Sequence, residues 1–134
     1  MSETSKRMER CRALRADTTR HYNCAQATFV PVAESLGMDT ETACRIAAHF
    51  AAGMGMGATC GGVTGGLMAL GLAGADKKTA QEFLRRVRAA HDGTLDCAEL
   101  LRRDRALGHT ERKPHCDAMV FACLALVEEL LADQ

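Results

Sequence analysis

The chain has 134 residues, with 17 Lys+Arg against 17 Asp+Glu and a formal net charge of zero. That length reads as one domain with a core large enough to fold without disulfides, and the lack of a basic surplus excludes nucleic acid as a main partner. Seven cysteines, an odd number, do not make a closed disulfide framework and in a reducing compartment point to metal or redox chemistry.

The first ten residues are polar and charged with no apolar run behind them, so a cytoplasmic protein is expected. A first helix is predicted over 4–20, from Met8, Cys11, Leu14 and Thr18 at helical spacing. Asn23 is a candidate N-cap for a helix from Cys24 to Leu36, which Pro31 should kink or split. Asp39 would cap a helix over 40–52, with Ile46, Ala47, Phe50 and Ala51 facing inward and Cys44 and His49 as structural neighbours.

Residues 53–74 carry no charge and nine of the chain's 12 glycines. Glycine at that density means close backbone approach or positive φ. The stretch reads as a tight loop over 53–61, which presents Cys60, followed by a closely packed helix over 62–72. The uncharged run from Phe50 to Ala75 is long enough to cross a bilayer, but its glycines and threonines make it weakly hydrophobic, so no membrane span is expected.

Asp76 would cap a helix over 77–91, where Ala80, Phe83, Leu84, Val87 and Ala90 form an apolar stripe and Arg85, Arg86 and Arg88 face outward. A shorter helix is predicted over 95–105, with Cys97 in its first turn. Pro114 would open the last helix, which runs to Leu131 and carries Cys116 in its first turn and Cys123 in its core stripe.

One regularity follows. Cys24, Cys60, Cys97 and Cys116 all fall at or near predicted helix starts, where unpaired N–H groups favour thiolates. Cys11, Cys44 and Cys123 fall inside helices and read as core. No CxxC, HExxH or ferredoxin spacing is present. Gly53-x-Gly55-x-x-Ala58 follows a helix rather than a strand, so it is no dinucleotide fingerprint. His115 stands beside Cys116, where it could tune a thiolate.

These residues together carry a resemblance: Asn23-Cys24-Ala25-Gln26-Ala27, then Gly53-x-Gly55-x-Gly57-x-x-Cys60-Gly61-Gly62-x-x-Gly65, then Cys97-Ala98-Glu99-Leu100-Leu101, then Cys116. The chain resembles the C-GCAxxG-C-C family of redox-active proteins from about Tyr22 to Val127, with Gly62 where that family usually has Ala. The resemblance implies a single-domain, all-α bundle of about five to seven helices with a Gly-rich, Cys-bearing loop, and four cysteines acting together. By analogy with split-Soret-type cytochromes, it implies an iron–sulfur cluster, [2Fe–2S] ahead of [4Fe–4S], held by Cys24, Cys60, Cys97 and Cys116, with Gly57, Gly61, Gly62 and Gly65 close to it. Two other readings stay open: a thiol–disulfide protein with Cys60 as the attacking thiol, and a structural zinc on the same four cysteines. An electron-transfer or binding module is expected ahead of an enzyme, with an unidentified redox partner. A homodimer packed through the flat glycine-rich helix is a further expectation.

Overall fold

The computed structural model describes residues 3–133. It is all-α: α1 (Glu3–Ala16), α2 (Cys24–Ser35), α3 (Thr40–Ala47), a π turn (Gly53–Gly57), α4 (Gly61–Leu72), α5 (Lys77–Ala90), α6 (Cys97–Ala106) and α7 (Arg112–Ala132). No strand occurs among the described residues, and none of their helices is long and apolar enough to cross a membrane.

The bundle is centred on α2 and α4, which share the most extensive contact, with α7 packed across both. The glycines of α4 explain the closeness. A Cβ on Gly65 would lie 2.6 Å from the Ala25 carbonyl oxygen, and one on Gly61 would lie 2.9 Å from Cys24 Cβ. Gly61 and Gly65, four residues apart, therefore form a groove that receives the backbone of α2. On the other sides, Gly62 backs onto α7, where its Cβ would sit 3.3 Å from Cys123 Sγ, and Gly66 makes room for the ring of Phe83 in α5. The small-residue face expected to favour a homodimer is thus covered within the chain by α2, α5 and α7.

Several boundaries differ from the sequence expectation for local reasons. The first helix ends at Ala16 rather than residue 20, because Asp17 Oδ1 accepts the N–H groups of Thr19 and Arg20 and closes a turn. Pro31 does not split α2. The helix runs through it with residues Ala27 to Ala33 all buried, so tertiary packing holds the turn that the missing N–H would loosen. The third helix stops at Ala47, not 52, and buries Ala43, Cys44 and Ala47, which leaves Ile46 and Phe50 exposed. The last helix starts at Arg112, so Pro114 occupies its third position, where an N–H has no helical acceptor in any case. Cys116 is then the fifth residue of α7 rather than part of its first turn.

Cys11, Cys44 and Cys123 are core residues, each at most 2% exposed. Burial pushes the Cys11 thiol up to about 12 and raises those of Cys44 and Cys123 as well. All three are small buried hydrophobes.

One buried group is poorly satisfied. Glu128 of α7 is buried, its Oε2 has no hydrogen-bond partner, and the Arg7 guanidinium lies 3.9 Å away. Loss of hydration pushes its carboxyl up to about 7. A carboxyl raised above its unfolded value contributes stability that is complete below about pH 4.5 and lost as the pH rises through about 7. Glu128→Gln should flatten that slope. Unfolding free energies from urea titrations should place the variant above the parent by on the order of 2 kcal/mol near pH 8, with the difference gone near pH 4. A parent midpoint that does not change across this interval would count against the buried, charged carboxylate.

Candidate functional site

Each of the four helix-start cysteines is fixed by a separate device. Cys24 opens α2 behind a capping box: Asn23 Oδ1 accepts the Gln26 N–H at 2.8 Å, and the Asn23 N–H donates to Gln26 Oε1 at 3.0 Å. The two amide groups also reach α3, with Asn23 Nδ2 donating to the Ala48 carbonyl and Gln26 Nε2 to that of Cys44, both at 3.0 Å. The Asn-Cys-Ala-Gln-Ala segment therefore pins Cys24 through its neighbours.

Cys60 is the N-cap residue of α4. The N–H groups of Gly62 and Val63 face its sulfur and favour the thiolate, without closing a full side-chain cap. Burial outweighs them and raises the thiol. The preceding loop is strained. Ala52 and Met54 hold φ values of 52° and 59°, the left-handed region that costs a residue with a Cβ roughly 1–2 kcal/mol. Gly53, at φ 63°, admits no Cβ, since one would fall 2.1 Å from the Ala58 nitrogen.

Cys97 is the first residue of α6, and an antiparallel bridge between Thr59 and Asp96 ties it to Cys60. The Cys60 N–H donates to the Leu95 carbonyl at 2.8 Å, and the Cys97 N–H to that of Ala58 at 2.6 Å. Residues flanking a bridged pair point to the face opposite it, so Cys60 and Cys97 share one side of this short ladder. Burial raises the Cys97 thiol, and Arg112 Nη2, 4.0 Å from its sulfur, opposes the rise.

Cys116 behaves differently. The neighbouring Cys24 thiol and the Arg112 guanidinium together outweigh burial and bring Cys116 down to about 5. His115 adds a smaller positive field. His115 Nδ1 lies 3.8 Å from Asp104 Oδ1, which His109 Nδ1 approaches at 2.9 Å. Proximity to Cys116 raises the Cys24 thiol, as does burial, so the two thiols shift in opposite directions, Cys116 down and Cys24 up.

The four sulfurs lie within electrostatic reach of one another. Cys24 is raised further by Cys60, Cys60 by both Cys97 and Cys116, and Cys97 by Cys116. Of the glycines expected beside them, Gly61 and Gly62 follow Cys60 directly, Gly65 lies one turn further on against α2, and Gly57 lies against Ala98 of α6. Cys24 and Cys116 open onto a cavity of about 440 Å³, also lined by Arg15, His21, Asn23, Ala51, Ala52, Arg112 and Lys113. Among the described residues, no three or more His, Cys, Asp or Glu side chains are grouped to hold a metal ion. A single zinc on the four cysteines would need side chains to move.

The sequence put the reactive candidate at Cys60; in the structure burial raises the Cys60 thiol, and the thiol that is lowered is Cys116. Arg112 was missed. Its signal was present, a guanidinium four residues before Cys116 and hence on the same helix face.

No curated protein and no solved structure shows a significant match to the chain. Residues 22–130 match the family described as "Putative redox-active protein (C_GCAxxG_C_C)", a span that begins just before Cys24 and holds all four helix-start cysteines, so the chain belongs to that family.

Proposed function

We propose that the protein is a thiol–disulfide redox module whose working pair is Cys116 and Cys24. The observation that carries this is that Cys116 and Cys24 line one cavity together with Arg112, with the Cys116 thiol lowered by both neighbours. Cys116 attacks one sulfur of a disulfide, whose S–S bond breaks to release one thiolate. The Cys24 thiol then loses its proton to solvent and its sulfur attacks the Cys116 sulfur, which expels the second substrate thiolate; both released thiolates take up protons from water. One disulfide becomes two thiols, and the pair becomes a disulfide. Cys60 and Cys97 complete a set of four thiols around this pair. The test is oxidation of the reduced chain with a small excess of a low-molecular-weight disulfide, followed by peptide mapping. A Cys24–Cys116 crosslink is expected, with the free-thiol count falling by two. An unchanged thiol count would end this reading.

A second reading keeps the same four cysteines as ligands of an iron–sulfur cluster. Its support is the chemistry of the donor set. Four thiols, a number that suits either [2Fe–2S] or [4Fe–4S], come from four different helix regions. They also fall into two pairs, Cys24 with Cys116 and Cys60 with Cys97. A bound cluster would supply one-electron transfer, tuned by the Gly62 and Val63 N–H groups near Cys60. Anaerobic purification with iron and acid-labile sulfide assays separates the readings. Brown protein containing both would favour the cluster, and colourless, metal-free protein the dithiol.

A further inference from the structure

Cys24 and Cys116 line a cavity, and the cavity is basic. Arg15, Arg112 and Lys113 line it together with His21. Asp117 is the carboxylate that meets them. It accepts from Arg15 Nε at 2.6 Å and from Lys113 Nζ at 2.9 Å. Three cations, Arg15, Arg112 and Lys113, stand against the Asp117 carboxylate and an ionised Cys116, which leaves a surplus of one positive charge at the mouth. Arg15 is held rigidly, since its side chain is 6% exposed and its Nη1 also donates to the Tyr22 carbonyl at 2.9 Å. The first turn of α7 adds a second, independent contribution. Its N-cap, Glu111, makes no side-chain cap hydrogen bond, and Arg112 and Lys113 are its first two residues, so open N–H donors lie beside the same cavity. Ala51 and Ala52 give one wall that carries no polar side chain. A volume of about 440 Å³ suits a small organic molecule rather than a protein surface.

We infer that this cavity admits a small organic disulfide bearing carboxylate groups and presents its sulfur to Cys116. The inference rests on the thiol–disulfide reading of the site and names its substrate class. The substrate's carboxylate sits among Arg15, Lys113 and the start of α7, and its disulfide lies over Cys116. The exchange balances as written above: the substrate S–S bond breaks, two substrate thiols leave, and the two electrons come from Cys116 and Cys24.

The test uses the reduced, full-length chain and three matched alkyl disulfides: 3,3′-dithiodipropionate (anionic), bis(2-hydroxyethyl) disulfide (neutral) and cystamine (cationic). Each rate of forming the Cys24–Cys116 crosslink is divided by that disulfide's rate with a simple free thiol, which removes intrinsic reactivity. The expected order is anionic, neutral, cationic. The anionic-to-cationic ratio should be roughly tenfold or more at low salt, and should shrink as salt is added. Lys113→Glu should collapse that ratio. Equal or inverted normalised rates would overturn the anionic substrate while leaving the dithiol reading in place. No crosslink with any of the three would overturn both.

Discussion

Replacing Cys116 with serine should remove most of the chain's reactivity toward disulfides and iodoacetamide near pH 6. With its thiol lowered to about 5, Cys116 is about nine-tenths thiolate at that pH, against about one part in a thousand for an ordinary thiol near 9. Low-pKa thiolates are weaker nucleophiles, and a Brønsted slope of roughly 0.45 over four units gives back nearly two powers of ten. The net advantage is therefore roughly tenfold over one unperturbed cysteine. The remaining six thiols are all raised, so at least a tenfold drop is expected for Cys116→Ser. The pH profile gives the sharper reading. The parent's rate should fall as the pH drops through about 5 and be nearly flat above about 6, whereas the variant should climb towards pH 9 and beyond. Cys24→Ser supplies the complementary result, attack retained but release blocked, with the mixed disulfide on Cys116 visible by mass. A variant profile identical to the parent's would show that Cys116 is not the attacking sulfur.

Gly65→Ala should cost about 2 kcal/mol or more, although alanine is the better helix former by roughly 1 kcal/mol. The added methyl would lie 2.6 Å from the Ala25 carbonyl oxygen and 3.0 Å from Thr28 Cβ. Both belong to α2, and a backbone carbonyl cannot rotate away as a side chain can. To make room, α2 must move off α4, and Cys24 at its first turn moves with it. The melting temperature should drop by about 8 °C, and the thiolate-dependent rate near pH 6 should fall beyond what the stability loss explains. Gly71→Ala, in the same helix, is the matched control. Nothing lies within 4 Å of its Cβ position, so only helix propensity acts, and stability should rise by up to about 1 kcal/mol. Equal effects at the two positions would refute the close crossing of α2 and α4.

This contrast also marks what was legible in the sequence. The all-α class and the caps at Asn23, Asp39 and Asp76 follow from local chemistry, and each cap accepts the expected N–H group. The burial of Cys11, Cys44 and Cys123 was readable for the same reason, because helical periodicity marks a core stripe; of the four expected helix-start cysteines, Cys24, Cys60 and Cys97 sit at helix starts, whereas Cys116 is the fifth residue of α7. The direction of each α4 glycine was not. One side of the helix meets α2, another α7, another Phe83, and only tertiary packing decides which. The inner face of α3 was misjudged at Ile46 and Phe50 because the helix ends at Ala47 and the chain turns away. The order of reactivity among the four cysteines also stayed hidden. It depends on contacts across the bundle, from Cys24 to Cys116 and from Arg15 to Asp117, and no local motif encodes pairs so far apart in sequence.

The dependence of the Cys116 thiol on Cys24, across the bundle, has a consequence for biosynthesis. The two residues are 92 positions apart, and at roughly 5–20 residues per second Cys24 leaves the ribosome about 5 to 20 seconds before its partner. Until α7 docks onto α2, every cysteine in the nascent chain is an ordinary, mostly protonated thiol. Folding therefore confers selectivity rather than strength: near pH 7 the weaker nucleophilicity of a low-pKa thiolate roughly cancels its greater ionisation, and what the completed bundle changes is which sulfur ionises first.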